Sequence, residues 1–231
     1  MGKINIYIIL FIFAFSACTG SFVTATSNET EEGMPAKEAR KKPAISDREA
    51  KAYELFEEIL DLTETQDIQT VLPQIEILYI NIIREYPDTA IAQECYWRLI
   101  SLYVKNNVPP EYEKAEALYS EFLKKYPRSV ITTLIEDTLA KIYHKNKKWD
   151  KILKIYPDAA SKFNEKDEHP NPSPVFMYAE AKYNLGDLAE AEKAYKIIEK
   201  YFPKSKMAPA TKERLEEIKK RKEKADTPDA E

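Results

Sequence analysis

A recurring pattern of aromatic residues most constrains the fold of this 231-residue chain. Four times, an alanine or isoleucine is followed by a tyrosine four positions later and by a tyrosine or phenylalanine eleven positions later. The starting positions are Ile75, Ala115, Ile152 and Ala191, which lie 40, 37 and 39 residues apart. A fixed period of this length is typical of repeat proteins, in which each supersecondary unit stacks on the next. The pattern therefore predicts a solenoid.

The apolar residues inside each unit follow a helical period. Ala115, Leu118, Tyr119 and Phe122 occupy positions i, i+3, i+4 and i+7, which form one stripe on an α-helix. Tyr-Pro or Phe-Pro pairs end three of the units, because the residue before proline avoids the α region, whereas Asn164 follows Phe163 in the third. The fold class is predicted to be all-α, with about four helix pairs and a C-terminal capping helix. The predicted helices span 47–65, 71–86, 89–105, 110–126, 130–145, 148–163, 174–185, 188–202 and 206–224.

Several residues carry more specific structural expectations. The four tyrosines of the repeat are expected to pack between helices, and three hydroxyl residues that follow the Pro pairs are expected to cap the next helix. Pro157 is expected to kink or restart the sixth helix, since proline removes a backbone hydrogen bond. The proline-rich segment 169–174 is expected to be a stiff, non-helical loop. The tyrosines are Tyr79, Tyr119, Tyr156 and Tyr195, and the capping residues are Thr89, Ser129 and Ser205.

The repeat resembles the tetratricopeptide family over about residues 47–205. The second unit carries Tyr96, Leu99 and Tyr103 in the first helix, and the fourth carries Gly186 before a helix that contains Ala191. The resemblance implies that the first helix of each pair lines a groove that binds partner proteins. Carried over by position, the groove residues are Trp97, Ser101, Lys105, Asp137, Lys141, His144, Glu180 and Tyr183, with Glu94, Val104, Leu134 and Phe176 beside them. Trp97 could be an exposed anchor for a partner or could pack beneath the N-terminal helices.

Residues 1–17 contain Lys3 and an apolar run, as in a signal peptide, and they end in Ser16-Ala17 before Cys18. This N-terminus resembles that of bacterial lipoproteins. This resemblance implies cleavage before Cys18 and lipidation of its thiol, although Phe15 stands where the lipoprotein pattern prefers leucine. An ordinary secretory signal cut near Ala17 is the alternative. Residues 18–45 are then a flexible tether, 46–224 the repeat domain and 225–231 a disordered tail.

The composition excludes several kinds of functional site. The four glycines cannot form a glycine-rich phosphate loop, and two histidines with two cysteines cannot supply a usual zinc site without carboxylates. A net charge of −4 argues against nucleic-acid binding, which requires clustered Lys and Arg. Cys95 is expected to be a small buried hydrophobe. No catalytic constellation, metal or cofactor is predicted.

These features together predict a non-catalytic protein-binding scaffold. The lipoprotein-like N-terminus and the repeat endings resemble BamD-like outer-membrane assembly lipoproteins. This resemblance implies an outer-membrane lipoprotein that faces the periplasm and binds other envelope proteins or peptide segments. Thr19, rather than aspartate, follows Cys18, which favours the outer over the inner membrane. A periplasmic tetratricopeptide adaptor for cell-wall synthesis or division is the alternative.

Overall fold

Nine α-helices and no strand form the regular structure of residues 46–167 and 170–226, the part of the chain that the computed structural model describes. The prediction of an all-α, tetratricopeptide-like solenoid is confirmed. The predicted signal peptide, Cys18 and the tether lie outside the described residues, as do residues 227–231 of the predicted tail. The helices are α1 (Asp47–Thr65), α2 (Ile68–Glu85), α3 (Ala90–Lys105), α4 (Tyr112–Lys125), α5 (Ile131–Lys145), α6 (Trp149–Ile155), α7 (Ser173–Asn184), α8 (Leu188–Tyr201) and α9 (Ala208–Asp226).

Consecutive helices pack in pairs, and the pairs stack. The pairs are α1–α2, α3–α4, α5–α6 and α7–α8, while the first helices of neighbouring pairs also contact one another. Helix α9 packs against α8 and so covers the C-terminal end of the stack. This arrangement places α3, α5 and α7 side by side, which positions the predicted groove residues on adjacent helices.

Two apolar clusters hold the stack together. One cluster joins α1 to α6 and reaches Met177 and Ala181 of α7, and the other joins α7, α8 and α9. The repeat tyrosines contribute to both, because Tyr79, Tyr156 and Tyr195 are buried and Tyr119 packs against the first cluster. The expectation that these rings pack between helices is confirmed.

Four helices end on the same aromatic–proline signal. The residue after α2, α4, α6 and α8 is aromatic, precedes a proline and donates its backbone N–H to the carbonyl oxygen four residues earlier. These residues have φ values from −130° to −122° and ψ values from 45° to 62°. The four pairs are Tyr86-Pro87, Tyr126-Pro127, Tyr156-Pro157 and Phe202-Pro203.

The early position of this signal in the third unit shortens α6 to seven residues. The prediction of a helix over 148–163 that is kinked or restarts at Pro157 is therefore wrong. Residues 157–162 form turns, and the next α-helix among the described residues begins at Ser173. The other predicted helix ends fall within three residues of the observed ones.

Two further local expectations need correction. Ser173 and Pro174 belong to α7, because proline is tolerated in the first turn, where its missing N–H has no helical partner. Of the predicted caps, Ser129 accepts a hydrogen bond from the Ile131 amide at 3.1 Å, but Val130 holds the N-cap position of α5. Thr89 precedes α3 as predicted, but its hydroxyl donates back to the Tyr86 carbonyl at 2.7 Å. The buried hydroxyl of Ser205 has no hydrogen-bond partner among the described residues.

Candidate partner-binding groove

Trp97 joins the first helices of the second and third pairs. Its indole Nε1 donates to Thr138 Oγ1 at 3.0 Å, and its half-buried ring packs against the first apolar cluster. The Arg98 guanidinium lies over the same ring, 5.7 Å from its centroid. Trp97 therefore packs between α3 and α5, and only part of its ring remains accessible to a partner.

Three charged residues lie together beyond Trp97 along α3 and α5. Lys141 forms an ion pair with Asp137, whose other carboxylate oxygen accepts from Ser173 Oγ at 3.3 Å. Lys105 has an exposed side chain and no ion pair among the residues that the structure describes. Partial loss of water around its ammonium and the nearby charge of Lys141 lower the pKa of Lys105. This stretch of the groove thus presents two lysines to solvent, of which Lys141 forms an ion pair.

Glu180 lies in a buried polar network at the next helix pair. Its side chain accepts from Tyr195 Oη at 2.5 Å and from Arg214 Nε at 3.0 Å, and His144 Nε2 lies 3.5 Å from Oε2. Burial alone would raise the pKa of Glu180, but the contacts with His144, Arg214 and Tyr195 lower it to about 2. These contacts join α7 to α5, α8 and α9. Because Glu180 is only 5% exposed, it is not accessible to a partner.

Tyr183 is covered by α9 in the same way. Its hydroxyl donates to Glu217 at 2.6 Å, and the guanidinium groups of Arg214 and Arg221 lie 4.6 and 4.9 Å from its ring centroid. The capping helix therefore closes the α7 part of the predicted groove over Glu180 and Tyr183. The part that remains accessible lies on α3 and α5.

The other predicted groove positions differ in accessibility. Leu134 is 40% exposed, and His144 is half-buried with its ring edge-on to Trp149, at 5.3 Å between centroids. Ser101 is half-buried, and its buried hydroxyl has no hydrogen-bond partner among the described residues. Val104 is buried. An accessible strip of Leu134, Lys105 and Lys141 thus runs beside Trp97.

Sequence reasoning missed a set of tyrosine–glutamate hydrogen bonds that join the helices. Each tyrosine hydroxyl donates to a glutamate on another helix over 2.5 to 2.8 Å. The 40-residue spacing between Tyr103, Tyr143 and Tyr183, and between Glu76 and Glu116, was a signal that could have revealed part of the set. The pairs are Tyr96–Glu121, Tyr103–Glu76, Tyr119–Glu136, Tyr143–Glu116, Tyr183–Glu217 and Tyr195–Glu180.

Cys95 occupies a structural position in the core. Cys95 is fully buried, and burial raises the pKa of its thiol, which disfavours the thiolate that a nucleophile requires. Within residues 46–167 and 170–226, no group of three or more His, Cys, Asp or Glu side chains could hold a metal ion. In that same part of the chain, no helix is both long and apolar enough to span a bilayer.

The fourth helix pair carries a recognisable sequence signature. Residues 175–205 match the family model of the tetratricopeptide repeat. The matched segment contains nearly all of α7 and the whole of α8, and it supports the tetratricopeptide family for this chain. Tetratricopeptide repeats typically bind protein partners, so the match indicates a protein–protein interaction scaffold. No curated protein matches the chain.

Proposed function

We propose that this protein is a non-catalytic scaffold that binds other envelope proteins along α3 and α5 while a lipid holds it to a membrane. The observation that carries the proposal is the accessible strip beside Trp97 on two first helices of a tetratricopeptide-like stack. Solenoids of this kind bind partners on the surface that stacking creates. Glu180 and Tyr183 serve this function indirectly, because they hold α7, the neighbour of α5, to the capping helix.

The binding surface that we propose contains two exposed lysines. Lys105 and Lys141 supply charge, Leu134 supplies apolar surface, and the accessible part of Trp97 provides an aromatic edge of the kind enriched at interface hot spots. Asp137 orients Lys141 through their ion pair. Ser101 and His144 border this surface as half-buried residues.

The proposed anchor is a lipid on Cys18. The apolar run that ends in Ser16-Ala17 before Cys18 supports this part of the proposal. Two or more acyl chains would hold the protein stably, since each buried methylene contributes roughly 0.8 kcal/mol. Labelled palmitate should enter the wild-type protein and be absent from Cys18→Ser. Incorporation that survives the substitution would remove the anchor while leaving the scaffold proposal intact.

The narrower proposal is a role in outer-membrane protein assembly, on the periplasmic side of the outer membrane. Affinity capture from solubilised envelopes, followed by mass spectrometry, tests it. We expect outer-membrane assembly components, and we expect Lys105→Glu and Lys141→Glu to reduce their recovery. Recovery of peptidoglycan synthases instead would favour the cell-wall adaptor.

Exposed side chains are the suitable positions to substitute in this capture experiment, because their replacement leaves the core intact. Lys105 and Lys141 are exposed, so their reversal changes the surface without opening the core, whereas Trp97→Ala would also break the contact with Thr138. Lys124→Glu on α4 is the matched control, because it reverses an exposed charge on a second helix, outside the groove. Equal capture by all four proteins would contradict the groove assignment.

A further inference from the structure

The shortened helix α6 leaves a cavity that the regular repeat does not have. The chain leaves the helix at Tyr156, and residues 157–162 form turns. A cavity of about 370 Å³ lies between α5, the end of α6 and the first turn of α7. Its volume falls within the range of small-ligand sites, which begins at about 300 Å³. We call it the α5–α7 pocket.

The walls of the α5–α7 pocket are mainly apolar and held in place. Ile155, Tyr156, Pro157, Phe163 and Val175 line it. The Phe163 ring packs against the aromatic rings that end α8, with centroids 5.1 and 5.6 Å away. The loop wall is therefore anchored to a neighbouring helix, which gives the pocket a defined shape.

The carboxylate of Glu136 lines this mainly apolar pocket from α5. Its Oε1 accepts from Tyr119 Oη at 2.7 Å, and within the described part of the chain it forms no ion pair. Burial raises the pKa of Glu136 against the opposing effect of the Tyr119 hydrogen bond, so the fold keeps this charge at a cost. An entering cation would compensate it.

The rest of the pocket lining adds negative charge. Asp158 forms an ion pair with Lys162 at 3.5 Å, and Asp167 accepts from Asn164 at 2.8 Å. Lys162 is the one cation among the described lining residues, against three carboxylates. A bound group with a positive head and an apolar body complements both features of the pocket.

We propose that the α5–α7 pocket receives an arginine or lysine side chain from an extended segment of a partner protein. The cationic head pairs with Glu136, and the aliphatic stem lies on Tyr156 and Pro157, since long basic side chains commonly cover apolar surface with their methylenes. The pocket is a second binding site, and its occupation does not depend on the groove of α3 and α5.

Nuclear magnetic resonance titration of the full-length protein with capped tripeptides tests this inference. The probes are Ala-Arg-Ala and Ala-Lys-Ala, and Ala-citrulline-Ala serves as the neutral analogue of the arginine probe. We expect the two basic tripeptides to shift the amide signals of Tyr156 and Val175. Glu136→Gln should weaken their binding about tenfold, the usual effect of losing one hydrogen bond to a charged group. The citrulline probe should bind the wild type with a similarly reduced affinity.

Glu121→Gln is the matched control, because Glu121 also accepts from a tyrosine hydroxyl, at 2.6 Å, yet does not line the pocket. It should leave tripeptide binding unchanged. Equal binding of the arginine and citrulline probes to the wild type would overturn the inference without any variant. Methylguanidinium that binds as tightly as Ala-Arg-Ala would also overturn it, since a small cation and not a peptide would then be the ligand.

Discussion

The third and fourth helix pairs are built from the same repeat but place a carboxylate in opposite electrostatic environments. In α5–α6, Glu136 has one hydrogen bond, from Tyr119, and burial raises its pKa. In α7–α8, the more deeply buried Glu180 contacts Tyr195, Arg214 and His144, and its pKa falls to about 2. The fold therefore stabilises the Glu180 carboxylate and destabilises that of Glu136.

The difference follows from how each pair is completed. Helix α8 has its full length and is followed by α9, which brings Arg214 to Glu180. Helix α6 stops at Ile155, so the space beside Glu136 holds a cavity instead of a helix with a compensating charge. The complete fourth pair, together with α9, supplies partners for the buried charge of Glu180. The shortened third pair leaves the Glu136 carboxylate beside a cavity.

The largest expected effect comes from removing the two charges separately. Glu180→Gln should lower the free energy of unfolding by about 3 kcal/mol, because it removes a buried carboxylate that pairs with Arg214 and contacts His144. Glu136→Gln should leave the stability unchanged or raise it slightly, since it removes a charge that burial disfavours. Urea denaturation of both variants at neutral pH measures the contrast.

Glu121→Gln is the control for the amide substitution itself, because Glu121 is exposed and bonds one tyrosine. It should change stability by less than about 1 kcal/mol. Equal losses in Glu180→Gln and Glu136→Gln would show that the two carboxylates contribute alike, and the electrostatic comparison would then be wrong.

The same comparison predicts how stability depends on pH. The folded-state pKa of Glu180 lies near 2, below its unperturbed value of 4.5, so its contribution is present above pH 4.5 and is lost as the pH falls towards 2. Linkage gives a contribution on the order of 3 kcal/mol. Thermal unfolding of the wild type between pH 6 and pH 2 should therefore show a decline that is shallower in Glu180→Gln. For Glu136 the sign is opposite, because a raised folded-state pKa means that stability is lost as the pH rises through it.

Wild-type and Glu180→Gln melting curves that decline in parallel over this range would contradict the assignment. Glu136→Gln should retain the acid-dependent decline, because Glu180 is intact in that variant. This variant therefore separates the specific effect of Glu180 from the general protonation of surface carboxylates.

The fold could be predicted from the sequence because the repeat signal is local. Helix period and aromatic–proline endings act over a few residues, which is why most helix ends were predicted within three residues. The predicted end of the sixth helix was wrong because the repeat register placed it at Phe163. The same stop signal, Tyr156-Pro157, lies seven residues earlier. At this position, the local backbone preference of Tyr156-Pro157 prevailed over the repeat register.

The candidate groove was predictable only as a set of positions. Family resemblance placed Lys105, Lys141 and Trp97 on the first helices, where the structure also has them. The burial of Glu180 and Tyr183 depends on Arg214 and Glu217, which lie 34 residues away in sequence. No periodic pattern in the sequence predicts these contacts, because they depend on how the capping helix α9 packs against α7.

The smallest expected effect concerns the turns inside the two pairs. Lys147 and Gly186 are 39 residues apart, and both have positive φ, 56° in the turn before α6 and 88° in the turn before α8. Left-handed backbone costs a residue with a Cβ about 1 kcal/mol, and glycine pays no such penalty. Lys147→Gly should therefore raise the free energy of unfolding by up to about 1 kcal/mol, and Gly186→Ala should lower it by a similar amount.

A Cβ at Gly186 meets no atom within 4 Å, so a loss of stability there would report backbone strain and not a clash. Urea denaturation that gives both substitutions the same sign would show that the two turns are not equivalent positions of one repeat.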